Sequence, residues 1–239
     1  MPAAHRLKIV ESRHNASYRP RGMSKSISSE VVERLAPFAI TAHHPKGTVL
    51  FAEGQPCRGV FILCSGRVKL FTASSNGKAF ILRFADPGEM LGLAGSLSGQ
   101  PYEAWAEVTQ PTRTHFVERR DLVHVMRHHG EVAVQVATQL GQSYYSAIAG
   151  VRVMGHSRSA SQKLATFLLD WWEGNARVHD RDAGARFTMT HAEIAEVIGA
   201  SRETVTRVLS RFKKSGLIHW KGRNLLLANR VALESSAAI

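Results

Sequence analysis

Between residues 199 and 220 the chain reads GASRETVTRVLSRFKKSGLIHW. Arg202, Glu203 and Arg207 stand at the start of a stretch with helical periodicity, and Arg211, Lys213 and Lys214 follow at its far end. At 100° per residue, Val205, Val208, Leu209 and Phe212 share one apolar face. Arg202, Glu203, Thr206, Arg207 and Ser210 share the opposite one. Side chains of these types hydrogen-bond base edges. An arginine fork matches O6 and N7 of guanine, and a glutamate accepts from the amino group of cytosine. The expectation is that Arg202, Glu203 and Arg207 read bases in a major groove. Thr190, Ser201, Thr204, Thr206, Lys213, Lys214, Lys221 and Arg223 would hold phosphates and set the register. A solvated surface helix can also carry two arginines five positions apart, so the neighbouring signals decide.

Those signals agree. Thr190 and Glu193 form the T-x-x-E of a capping box, which starts a short helix HAEIAEVIG with Ile194, Val197 and Ile198 facing inward. Gly199 supplies a permissive turn. Ser201 then caps the second helix, and Gly216 is placed to end it in a left-handed conformation. LIHW-KGRN-LLLA reads as a hairpin with Lys221, Gly222 and Arg223 at its tip. Helix, glycine turn, helix and hairpin in this order make a winged helix-turn-helix.

Charge points the same way. The 239 residues carry 31 Lys and Arg against 19 Asp and Glu, a formal net charge of +12, which suits a polyanionic partner. One basic cluster comprises Arg6, Lys8, Arg13, Arg19, Arg21 and Lys25 against Glu11. It has no hydrophobic period, and residues 1–26 are expected to form a mobile arm. The other lies in the helix-turn-helix stretch and belongs to folded structure. No apolar run approaches the ~18 residues of a membrane span, and the N-terminus has no long apolar segment. A cytoplasmic protein with no membrane partner is expected. Cys57 and Cys64 are too few for a disulfide framework and read as a loop thiol and a buried strand residue.

The elements upstream must position this unit. Residues 47–117 alternate turn signals (Glu53-Gly54, Ser65-Gly66, Asn76-Gly77, Asp86-Pro87-Gly88, Gln110-Pro111) with short β-rich runs: TVLF, GVFIL, RVKLFTA, AFILRF, AWAEV and RTHFV. This reads as a β barrel or sandwich. From Asp121 to Met154 the period becomes helical, with Asp121 expected to cap a short helix and Gly130 to separate it from a long one. Along the long helix Ala133, Ala137, Leu140, Tyr144, Ala147, Val151 and Met154 advance by alternating fours and threes, an a/d seam. Its small residues suit close approach of two helices from two subunits. Packing of the helix on its own barrel is the alternative. A polar break, GHSRSAS at 155–161, suits a hinge. The helix QKLATFLLDWW and a polar loop at 173–186 precede the capping box.

A β-roll, a long helix and AEIAEVIGASRETVTRVLSRFKKSGLI together resemble the cyclic-AMP receptor protein and fumarate–nitrate regulator (Crp/Fnr) family of bacterial transcription factors, over roughly residues 37–231. SRETVTR is the specific part. VFILCSGRVKLF followed by PGEMLG is similar to the family's β-roll. The resemblance implies an α+β fold: an N-terminal β-roll (a double-stranded β-helix, cyclic-nucleotide-binding-like) at 27–130, a dimerisation helix at 131–154 and a winged helix-turn-helix at 155–239. It implies a homodimer on double-stranded DNA, with Arg202, Glu203 and Arg207 contacting TGTGA-like half-sites of an inverted repeat, and RNA polymerase as a further partner.

The sensing half departs from the family pattern. Leu93 stands where the ribose-binding glutamate of cyclic-AMP binders belongs. Tyr102 and Glu103 replace the Arg-Ser pair that holds the cyclic phosphate. Ile148 and Ala149 align with the Thr-Ser pair that meets the adenine. Leu93, Tyr102, Glu103 and Ile148 therefore mark a candidate pocket for an effector other than cyclic AMP, of unknown identity, with Glu103 adding an anion beside the phosphate position. A ligand-free regulator controlled by abundance or a partner is the alternative. No iron–sulfur cluster is expected, since that branch uses about four thiolates and no cysteine precedes Cys57. The family's carbon-monoxide sensor binds haem through an N-terminal proline and a histidine. Pro2 and His43, His44, His124, His128 and His129 keep haem as a further alternative, although no spacing selects one histidine. A metal-dependent cupin-like enzyme needs alternating His-x-His. His43 and His44 are adjacent and would point to opposite faces of a strand, so neither a catalytic residue nor a metal site is expected.

Overall fold

The computed structural model describes residues 27–73, 79–154, 159–175 and 185–237. The arm expected at 1–26 and residues 155–158 of the polar break lie outside them. Two compact units divide between Ser143 and Tyr144, inside the long helix, with Ala73–Arg83 grouped in the second.

The first unit holds α1 (Ser29–Leu35), a 3-10 turn (Ala36–Phe38), β1 (Ala39–His44), β2 (Val49–Phe51), β3 (Gly59–Ala73) up to Thr72, the last two residues of β4 (Ala79–Ala85), β5 (Met90–Leu91), α2 (Leu93–Ser98), β6 (Trp105–Glu118), α3 (Arg119–His128) and the start of α4 (Gly130–Met154). The strands form one sheet in the order β1-β6-β3-β4, with β2 also on β6 and β5 on β3. Two apolar cores result. Phe51, Leu63, Val68, Leu91, Tyr102 and Val108 pack in one. Val31, Leu35, Val60, Ile62, Leu93 and Val117 pack in the other with Leu122 and Val125 of α3 and Val132 and Val136 of α4.

Two of the expected turns are not turns. GVFIL and RVKLFTA run on as β3, and AWAEV and RTHFV run on as β6. Ser65-Gly66 and Gln110-Pro111 lie within these strands, where the β3–β6 register shifts between Leu63 and Val68. Glycine is required at the irregularity. Gly66 has φ +90, and a Cβ there would lie 2.6 Å from the Pro111 carbonyl oxygen. We expect Gly66→Ala to destabilise the roll by about 2–4 kcal/mol, a fall of roughly ten degrees in Tm. Gly47 also has positive φ (+89) but open space around it. Gly47→Ala should cost only about 1 kcal/mol. Thermal unfolding that ranks the two equally would show that the close backbone approach at Gly66 is not what fixes the residue.

Helices α1 and α2 are too short for a periodicity to reveal them. α1 is capped by Ser28, whose Oγ accepts from the Val31 amide. α3 starts at Arg119, so Asp121 lies in its first turn and does not cap it.

The second unit holds the rest of α4, α5 (Ala160–Asn175), β7 (Ala185–Arg186), α6 (His191–Ile198), α7 (Arg202–Lys214), β8 (Ile218–Lys221), β9 (Asn224–Leu227) and α8 (Arg230–Ala237). Trp171 of α5 is fully buried with its ring 4.8 Å from Phe187, which in turn meets Trp220 edge-on. Arg230 ties α8 to α5 through Glu173 at 2.6 Å. The loop expected at 173–186 contains a strand: β7 pairs with β9 through Ala185 and Arg186. Two residues give no alternation from which to read it.

Candidate nucleic-acid interface

The capping box forms as its spacing requires. Thr190 Oγ1 accepts from the Glu193 amide, and Glu193 Oε2 accepts from the Thr190 amide at 2.7 Å. Gly199 has φ +65, the turn that a Cβ would strain. Ser201 Oγ accepts from the Thr204 amide at 3.2 Å and starts α7. The far end is a Schellman cap, with Gly216 at φ +68. There the Gly216 amide donates to Lys213 O and the Leu217 amide to Phe212 O. The start, direction and end of α7 are thus set by local chemistry. Val205, Val208, Leu209 and Phe212 are buried beneath it.

Arg202, Glu203 and Arg207 are all exposed on the opposite face, together with Thr206 and Ser210. The Glu203 carboxyl is held below the usual range, first by its own backbone amide, then by Ser201 and the Arg202 charge. It is an acceptor at neutral pH, as a cytosine contact requires. Lys213 and Lys214 are exposed in the last turn of α7. Lys221 and Arg223 are exposed at the hairpin tip, where Lys221 pairs with Asn224 and Gly222 turns the chain at φ +63.

The hydroxyls differ in what remains for a ligand. Those of Thr190 and Ser201 are engaged in the two caps, donating to Glu193 Oε2 and Thr204 Oγ1. Thr206 Oγ1 donates to the Arg202 carbonyl at 2.9 Å and lies 2.8 Å from His191 Nδ1. The single hydroxyl proton goes to the carbonyl, so the histidine donates in the second bond. His191 therefore braces the start of α6 against the exposed face of α7. Nothing in the periodicity points to it. Its place directly after the capping threonine is the one signal the sequence offers. Arg211 is also braced, donating to Ser161 Oγ of α5 at 2.6 Å.

On α4, Val132 and Val136 face the core and Gln139 is buried. Ala137 and Ala147 of the expected seam are exposed, as is Tyr144 at 64%. Ala133 is half-buried, and Leu140 packs against the roll's own core. Val151 and Met154 are helical in backbone. Val134 in the first unit, and Tyr145 and Ile148 in the second with Tyr144, are exposed apolar residues. Of the expected seam, Leu140 is thus taken up by the roll's core, whereas Tyr144 stands open.

In the roll, Tyr102 is buried and stacked on Phe51 with ring centroids 4.0 Å apart. Its hydroxyl donates to the Gly59 carbonyl at 2.8 Å, and its ring closes on Gly92, where a Cβ would lie 2.6 Å from Cε1. Burial raises the phenol's pKa, so it is a neutral donor. Leu93 belongs to the helix-side core, not to the one containing Tyr102. Glu103 corrects an expectation: it is exposed, so its charge does not line the interior. Ile148 falls in the second unit. Cys64 is fully buried, which pushes its thiol up to about 11. Cys57 lies in the loop before β3, its Sγ 3.2 Å from Ser96 Oγ. Among the described residues no three His, Cys, Asp or Glu side chains are placed to hold a metal, and no helix is long and apolar enough to cross a membrane.

Residues 162–236 match the Crp-like helix-turn-helix domain, and residues 41–129 match the cyclic nucleotide-binding domain. The chain is 29% identical over 212 residues to the transcriptional activator protein anr of Pseudomonas aeruginosa, covering 85% of this chain and 80% of that one. It is 25% identical over 228 residues to the CRP-like cAMP-activated global transcriptional regulator of Mycobacterium tuberculosis, covering 91% and 95%. Its fold is similar to the structure of FixK2 from Bradyrhizobium japonicum, with a TM-score of 0.70 and 27% identity over 84% of this chain and 98% of that one. The chain belongs to the Crp/Fnr family. It is a transcription regulator, not an enzyme, with a cyclic-nucleotide-binding-like domain followed by a DNA-binding helix-turn-helix.

Proposed function

We propose that this regulator acts as a cytoplasmic homodimer on an inverted repeat with TGTGA-like half-sites, and that its roll does not respond to cyclic AMP. The observation that carries the reading is the exposed trio Arg202, Glu203 and Arg207 on a helix whose other face is buried. RNA polymerase is its further partner. No iron–sulfur cluster is part of the reading, since two cysteines cannot supply about four thiolates.

Tyr102 stands against cyclic AMP as the effector. A cyclic phosphate needs a cation, and a neutral ring occupies the matching place. Losing such a buried charge pairing costs about 2–5 kcal/mol, which takes a micromolar site to roughly millimolar. The same filling of the interior favours a second reading, a regulator competent without any ligand there. Selection from random DNA should return a symmetric motif, and adding cyclic AMP should leave that affinity within about twofold. An asymmetric motif would remove the dimeric base-reading assignment. Micromolar heat with cyclic AMP and a roughly tenfold gain in affinity would remove the effector assignment.

A further inference from the structure

The first unit carries a basic cleft that DNA recognition does not use. It has a volume of about 750 Å³ and runs along α3, from Arg119 and Arg120 in the first turn to Arg127 in the last. Four arginines line it, Arg58, Arg119, Arg120 and Arg127, against one carboxylate, Glu118. Two of the four are committed. Arg119 Nε donates to the Ser96 carbonyl at 2.7 Å. Arg120 pairs with Glu118 at 2.9 Å and Asp121 at 3.6 Å. Arg58 and Arg127 are exposed and make no ion pair or side-chain hydrogen bond among the described residues, so two guanidinium forks stand open.

The backbone adds to the same field. The Arg119 amide donates to the Arg58 carbonyl at 2.9 Å, fixing the loop against the helix. Glu118, at the N-cap of α3, makes no capping hydrogen bond. The first-turn amides therefore lack a capping side chain, and the positive end of the helix dipole adds to the arginines. The rest of the lining is apolar: Phe116 and Val123, both half-buried.

We propose that this cleft binds a phosphate-bearing small molecule with a flat apolar part, the chemistry of a nucleoside polyphosphate. Open arginine forks take phosphate oxygens in pairs, a helix start takes a further anion, and an aromatic side chain takes a flat ring. The volume lies within the range of about 300–1,000 Å³ usual for small-molecule sites. A concave, partly apolar lining suits such a ligand better than an acidic protein segment. The site is separate from the roll interior that Tyr102 fills, and it stands independently of the half-site reading.

The full chain is titrated with ATP and with pyrophosphate by calorimetry, and ATP-induced hydrogen-exchange protection is mapped. Because a protein of charge +12 attracts any anion, Arg58→Ala/Arg127→Ala is compared with Arg202→Ala/Arg207→Ala. ATP should protect residues 116–127 and bind more tightly than pyrophosphate. The Arg58/Arg127 variant should weaken ATP by roughly tenfold or more, and the α7 variant by less than about twofold. If the first double variant unfolds, Arg127→Glu reverses one exposed charge and should show the same weakening. Equal weakening by both double variants, protection centred on 202–214, or no heat at millimolar ATP would each overturn the proposal. So would protection of this cleft by an acidic peptide alone.

Discussion

Replacing Arg207 with alanine will remove discrimination at one base pair in each half-site and cost most of the operator's advantage over random DNA. Arg207 is exposed, one turn on from Glu203, on a helix fixed by a serine cap at one end and a Schellman cap at the other. The variant therefore keeps the fold and loses only the fork. A bidentate arginine–guanine contact contributes about 1–3 kcal/mol of discrimination. A dimer holds two, so the loss is about 2–6 kcal/mol, or roughly 30-fold to 10⁴-fold in affinity. Arg207→Lys should recover little, because an ammonium is a point charge without the planar fork. Lys213→Ala should behave differently. It should weaken all sequences alike and reduce the salt slope by about one for each protomer. Fluorescence anisotropy with operator and scrambled duplexes at several salt concentrations separates the two. Retention of the full base preference by Arg207→Ala would reassign that face of α7 to phosphate contact.

The C-terminal unit was legible in the sequence because its determinants are local. Thr190 and Glu193, Gly199, Ser201 and Gly216 each act within a few residues of themselves, and each forms the cap or turn its type requires. The roll was legible only in outline, since its features depend on distant partners. Gly66 reads as a turn until Pro111 and Thr112 are seen across from it. Alternating strands place neighbours on opposite faces, but Glu103 and Tyr102 lie outside a regular strand. No period separates the exposed residue from the buried one there. His191 escaped for the same reason, because its partner Thr206 is fifteen residues away. On α4 the four–three spacing marks a helix that the structure contains, but the roll's core claims Leu140. Which side of an amphipathic helix faces its own domain depends on the packing around it.

The packing of Leu140 on the core and the exposure of Tyr144 decide how dimerisation is tested: Tyr144→Glu should break the dimer where Leu140→Glu would first disturb the roll. At 100° per residue Tyr144, Tyr145 and Ile148 fall within about 100° of helix surface. Tyr144 and Tyr145 are 64% and 69% exposed in the single chain. Large apolar side chains aligned on one stripe mark an interaction surface. In a twofold-symmetric pair the same stripe meets its own copy, so one substitution places two carboxylates in one desolvated seam. Breaking such an interface with an uncompensated buried charge costs about 3–5 kcal/mol. Because Tyr144 is exposed, the monomer should keep its helical spectrum. Operator binding should then fall about 10²-fold or more, since two half-sites no longer share one linked ligand. Sedimentation should report a monomer near 26.3 kDa, and operator titration should report the loss. A Tyr144→Glu protein that sediments as a dimer and binds operator with full affinity would place the subunit contact elsewhere. The apolar stripe of α4 would then need another partner.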